Sequence, residues 1–185
     1  MPNVDRLVVY TTQDDAGLWN ITYDFTVALP EGEPLNPNNR SAKYDLSDTL
    51  DFGGDIEIQS AEWSLDGGAV TAWEDPMGSP TEQLASGKAI AAGVTHTYTV
   101  SVVALVTTEA FENGADVCEA QSGPEGGGFL NRALLTSGGQ EVPAEDCSSP
   151  VAPTLDKTGQ VSVQNPDGSW SISYIVTVSN SNAEG

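Results

Sequence analysis

The sequence predicts an all-β fold, a Greek-key sandwich of about seven or more strands with little or no helix, and three observations predict it. The first is a strict alternation. Trp19, Ile21, Tyr23, Phe25, Val27 and Leu29 are separated by Asn20, Thr22, Asp24, Thr26 and Ala28, the pattern of a strand with one dry face. The second is turn chemistry spread along the chain, with Gly 19 and Pro 11 among 185 residues. The third is that no stretch carries the three-to-four spacing of a long amphipathic helix.

Taken in order, Gln13-Asp14-Asp15-Ala16-Gly17 is a turn. It joins the alternating strand to the residues before it, so the chain opens on a hairpin. Residues 30–37 read as a loop, and residues 42–50 and 55–65 as strands. Residues 75–86 read as a second loop, with room for one helical turn at 81–86. In the strand predicted at 94–106, Val94, His96, Tyr98, Val100, Val102 and Ala104 share a face. A further strand is expected at 128–137, and short strands at this spacing build a Greek-key sandwich.

The opening hairpin then recurs. Val4-Asp5-Arg6 leads to Gly17, Trp19, Ile21, Tyr23, Thr26 and Val27, and Leu155-Asp156-Lys157 leads to Gly168, Trp170, Ile172, Tyr174, Thr177 and Val178. Every pair is 151 positions apart, as Trp19 is from Trp170. The chain therefore reads as one complete repeat over residues 1–147, a Pro/Ser linker at 148–154, and the truncated opening hairpin of the next repeat at 155–185.

Charge narrows the function. The formal net charge is −21, which repels phosphate, so nucleic-acid partners are not expected. Met1-Pro2-Asn3-Val4-Asp5 has neither the basic nor the apolar region of a secretory leader. No apolar run is long enough to insert in a bilayer. The composition is acidic, rich in Ser and Thr and poor in Lys, which suits an exported protein. In that setting Cys118 and Cys147, the two cysteines of the chain, are expected to form a disulfide. They offer too few ligands for zinc.

Three segments carry a family resemblance: Tyr44-Asp45-Leu46-Ser47-Asp48-Thr49-Leu50, Tyr98-Thr99-Val100-Ser101-Val102 and Phe129-Leu130-Asn131-Arg132-Ala133. In this order they resemble the immunoglobulin-like conserved repeats of bacterial surface proteins, including the pilin and adhesin stalk domains of Gram-positive bacteria. The resemblance covers most of residues 4–147 and the fragment 155–179. It implies an immunoglobulin-like sandwich on the extracellular face of a bacterial cell, a role in stalks or adhesion, and no cofactor.

It also implies where a crosslink could lie. Some members of that class join a first-strand Lys to a last-strand Asn beside a middle-strand acid. Burial leaves the amine neutral and the acid protonated. Asp48 shares a face with Tyr44, Leu46 and Leu50, and Asn131 shares one with Phe129 and Ala133. The first-strand position is Arg6, by alignment with Lys157, and a guanidinium stays protonated and is no nucleophile. The triad Arg6, Asp48 and Asn131 is therefore expected to be vestigial, an ion pair with an amide neighbour. The alternative is that Asp48 caps a bulge or turn and Arg6 is solvated. Lys157 is the corresponding lysine of the next repeat.

Other candidates are weaker. Asp14 and Asp15, with Asp51 and Asp55 flanking Gly53-Gly54, could offer oxygens to calcium; solvated surface charge is the preferred account of them. His96 has no nucleophile elbow beside it, and Gly126-Gly127-Gly128 lacks the Lys of a phosphate loop. Trp73 is the one tryptophan considered for ligand contact. The expectation is a non-enzymatic stalk or spacer repeat of a cell-surface adhesin or pilus-like protein, whose partners are neighbouring repeats. The alternatives are an adhesive module for a host protein or glycan, and an assembly unit joined by strand addition.

Overall fold

The computed structural model describes residues 1–31, 41–118 and 127–181, apart from the side chains of residues 6–9. It divides into two compact units, the first running from Met1 to Pro150 and the second beginning at Val151.

The first unit is an antiparallel β-sandwich. β1 (Asn3–Gln13) and β2 (Trp19–Ala28) form the opening hairpin. Its turn holds because Asp14 Oδ1 accepts the N–H groups of Ala16 and Leu18, both at 2.9 Å, while Gly17 takes φ 84°. β3 (Ser41–Leu50) and β4 (Ile56–Leu65) follow, then the short β5 (Thr71–Ala72). Next come β6 (Thr81–Ala91) and β7 (Thr95–Val106). The helix α1 (Thr108–Asn113) precedes β8 (Asn131–Ser137) and β9 (Gln140–Asp146). One sheet has the order β1-β2-β7-β4-β5 and the other β6-β3-β8-β9.

The predicted alternation sets what lies between the sheets. Trp19, Ile21, Tyr23, Phe25 and Val27 of β2, and Tyr98, Val100, Val102 and Ala104 of β7, are buried. They face Tyr44, Leu46 and Leu50 of β3 and Ala133 and Leu135 of β8 in one core cluster. Apolar area removed from water is the main term favouring this layer, at roughly 25 cal/mol per Å².

Two expectations need correction. Residues 81–86 are neither loop nor helical turn but the first half of β6, paired to β3 from Thr81↔Thr49 to Ala91↔Ser41. The register shifts between Tyr44 and Leu46 and between Leu46 and Ser47. Leu84 and Ala85, adjacent in sequence, are consequently both buried, which erases the period of two. Trp73 is no ligand platform. It is 3% exposed, its backbone N–H donates to Ala61 O, and its indole N–H donates to Ser79 O at 3.1 Å.

The strand registers give the unit two poles. Asn3, Ala28 and Thr95 lie side by side at one end of the first sheet. The start of β3 joins them there, because Tyr44 bonds His96. Gln13, Trp19 and Ala104 mark the other end. Trp19 packs on Phe129, with ring centroids 5.4 Å apart, and so brings Leu50, Asn131 and Asp146 to that pole. β1 thus starts at one pole, and β9, which lies beside it, ends at the other.

The second unit is the hairpin β10 (Thr154–Gln164) and β11 (Trp170–Ser179). Its register is that of β1 and β2 moved by 151 positions. Leu155↔Val178, Asp156↔Thr177, Lys157↔Val176 and Gln164↔Trp170 correspond to Val4↔Val27, Asp5↔Thr26, Arg6↔Phe25 and Gln13↔Trp19. Both first strands carry an irregularity just after this start, between Arg6 and Val8 in one and between Thr158 and Val161 in the other.

Candidate functional site: a buried carboxyl–amide pair

Among the described residues of the first unit, the polar or charged side chains that are fully buried are Asp48 and Asn131, both at 0% exposure. Each is put there by strand alternation. Tyr44, Leu46, Asp48 and Leu50 point inward from β3, and Asn131, Ala133 and Leu135 point inward from β8. The two strands are adjacent, with Leu50 opposite Asn131 and Asp48 opposite Ala133. The Asn131 side chain crosses diagonally, and its Nδ2 donates to Asp48 Oδ2 at 2.8 Å.

Burying a carboxyl group and an amide in an apolar layer is unfavourable unless they are hydrogen-bonded. This pair supplies such a bond where two hydrophobic side chains would have packed at less cost. Asp48 therefore caps no turn; it lies within the interior. Arg6 stands opposite Phe25 in the β1–β2 register, and its side chain lies outside the described residues, as do Gly126 and the segment before it.

Polar contacts flank the pair. Tyr23 OH donates to Phe129 O at 2.9 Å, two residues before Asn131. Towards the opposite pole, Tyr44 OH lies 2.7 Å from His96 Nδ1 and 2.8 Å from Tyr98 OH. Burial pushes the Tyr44 hydroxyl far above its usual range, with the Tyr98 hydrogen bond adding to the rise. Burial likewise raises Tyr98. This hydroxyl–imidazole chain was not expected from sequence. Tyr44 and Tyr98 read there only as apolar-face residues, and the signal was two tyrosines and a histidine at inward positions.

Cys118 and Cys147 are joined in a disulfide with their Cα atoms 5.8 Å apart. Next to it the chain is tightly packed. A Cβ on Gly53 would fall 2.0 Å from Ala115 O, and one on Gly128, itself at φ 55°, would fall 3.0 Å from Cys118 Sγ. Only glycine fits at either position.

Three of the four acids considered for calcium, Asp14, Asp51 and Asp55, make contacts within the chain. Asp14 caps the hairpin turn. Asp51 pairs with Arg132, which also reaches Glu145, and Asp55 accepts from Asn113 Nδ2 at 3.1 Å. Asp15 is exposed in the turn. Among the described residues no group of three or more His, Cys, Asp or Glu side chains is placed to hold a metal ion, and no helix is long and apolar enough to cross a membrane.

No protein-family model and no curated protein matches the sequence. Among solved structures, the chain is similar to the backbone protein of group B streptococcus pilus 2b, with 12% identity and a TM-score of 0.35, over 98% of this chain and 80% of that one. It is also similar to the KRT10-binding region domain of the pneumococcal serine rich repeat protein PsrP, with 10% identity and a TM-score of 0.31, over 79% of this chain and all of that one. At these scores a shared fold does not follow, and the functional reading rests on this chain's own residues.

Proposed function

We propose that the chain is a non-enzymatic spacer module of a bacterial cell-surface protein, adhesin- or pilus-like, which extends a stalk and bears tension along it. The observation that carries this reading is the pair of exits from the first unit. The chain enters β1 at one pole and leaves β9 at the other, with β1 and β9 side by side. Tension between the two ends runs along the strands, so the hydrogen bonds of β1 to β2 are loaded together rather than one at a time. A disulfide suits an oxidising, extracellular setting.

The hairpin of the second unit is, on this reading, the opening of a second copy of the module, with residues 1–147, 148–154 and 155–185 as repeat, linker and next repeat. The shared register supports it. Partners are then neighbouring modules. Arg6 supplies the counter-charge to Asp48, with Asn131 as hydrogen-bond neighbour, in a crosslink site that has lost its nucleophile. A carboxylate at 0% exposure needs such compensation.

Single-molecule pulling of the full chain from its two ends tests the spacer role. The first unit is expected to yield in one step and at high force; yielding strand by strand at low force overturns the reading. An array of glycans and matrix proteins is expected to stay blank, whereas saturable binding would establish the adhesive alternative. The intact mass tests the lost crosslink. The chain is expected at its sequence mass less the two disulfide hydrogens, and Arg6→Lys is expected to lose one ammonia as the lysine amine displaces the Asn131 amide nitrogen. Retention of that ammonia in Arg6→Lys removes Arg6 from the site.

A further inference from the structure

Force applied to the two ends of a chain travels along its shortest covalent route, and in the first unit that route is not the order of the strands. Cys118 and Cys147 are joined across a sequence separation of 29. Force arriving at Cys147 from the linker therefore crosses directly to Cys118. β8 and β9 lie wholly within the bypassed stretch. Beyond Cys118 the route runs back through α1 into β7.

We propose that this disulfide is a mechanical switch, resting on the spacer reading above, which takes β9 out of the line of force and puts β7 in its place. The two strands are held very differently. β9 has 7 residues, stands at the edge of its sheet and forms its ladder with β8. Pro143, opposite Leu134, has no N–H to give that ladder. β7 has 12 residues and lies between β2 and β4, with registered partners on both sides. Drawing out β9 breaks one short, interrupted ladder, and drawing out β7 breaks two. With β9 bypassed, the strand left to yield first is β1, which pairs with β2 over 11 residues.

The crossing point is braced on both sides. Cys118 N–H donates to Ser149 Oγ at 2.9 Å, and Phe129 N–H donates to Ser148 O at 2.8 Å. Towards β7, Gly128 N–H donates to Ala115 O at 2.7 Å, and Ala115 N–H donates to the fully buried Ala110 at 2.9 Å. Thr107 Oγ1 donates to Asp55 O at 3.0 Å. These bonds keep residues 107–118 from being drawn out as slack before β7 is loaded. A dithiol reductant breaks the S–S bond, leaving two thiols while it closes to its own cyclic disulfide. That returns β8 and β9 to the route.

Pulling the full chain in oxidised and reduced forms tests this. The reduced first unit is expected to rupture at roughly half the force of the oxidised one, because β9 loads fewer backbone hydrogen bonds together than β1. Equal forces overturn the proposal and leave the spacer reading standing; that reading falls if the oxidised unit itself yields strand by strand at low force. Val142→Ala gives a second measurement that needs no reduction. Val142 of β9 is partly buried against the core. Its truncation is expected to lower the melting temperature by about 2–4 °C and to leave the rupture force of the oxidised chain unchanged. A rupture force that falls in the oxidised variant puts β9 back in the line of force and overturns the proposal.

Discussion

Asp48 and Asn131 show how a residue can be legible in position and not in energetics. Their placement on inward faces follows from the alternation of β3 and β8, and the sequence carried that much. Their 2.8 Å hydrogen bond depends on which strands neighbour each other and in what register, which no local pattern encodes. Because the pair is at 0% exposure, removing one partner leaves the other with an unmet demand. Asp48→Ala and Asn131→Ala are each expected to lower stability by about 1–3 kcal/mol in denaturant melts. The double variant is expected to cost less than the two together, with a coupling of about 0.5–3 kcal/mol. Additive costs would mean that the two side chains act separately.

At the scale of elements, β2, β3, β7 and β8 were readable because an uninterrupted period of two survives in each, and β4 was readable in spite of the register shift between Ile58 and Ser60 that breaks its alternation. β6 was not, since the register shifts opposite it place Leu84 and Ala85 inward together. β9 was not either, because Val142 is the one large apolar residue in Gln140–Asp146. The link between β3 and β7 at the first pole yields a prediction about pH. The Tyr44 hydroxyl, raised by burial and by Tyr98, keeps its proton in the folded chain after unfolded chains begin to lose theirs near the ordinary value of 10.0. The unfolded state then binds fewer protons than the folded one, and stability falls as pH rises. Full stability is expected below about pH 10, with progressive loss above it. Tyr44→Phe is expected to flatten that alkaline slope in melts between pH 9 and pH 11; an unchanged slope would assign the loss to other groups.

For the whole molecule, the expectation against a nucleic-acid partner rests on composition alone, since the charge of −21 acts at long range whatever the fold. The 151-position recurrence could be read from the sequence because it is a property of the chain. The opposite poles of entry and exit could not, because they depend on how ten-residue strands cross between two sheets. The disulfide between Cys118 and Cys147 adds a consequence for a molecule under tension. It ties off a stretch with a sequence separation of 29, and that stretch cannot pay out when the sandwich gives way. Under oxidising conditions the length released from the first unit is expected to fall short of the fully extended chain by roughly 100 Å, at about 3.3–3.6 Å per residue. A reductant is expected to restore the missing length. In a spacer of the kind proposed above, the bond would act as a tether that keeps a ruptured module short, so that the strands which must find each other again never drift far apart.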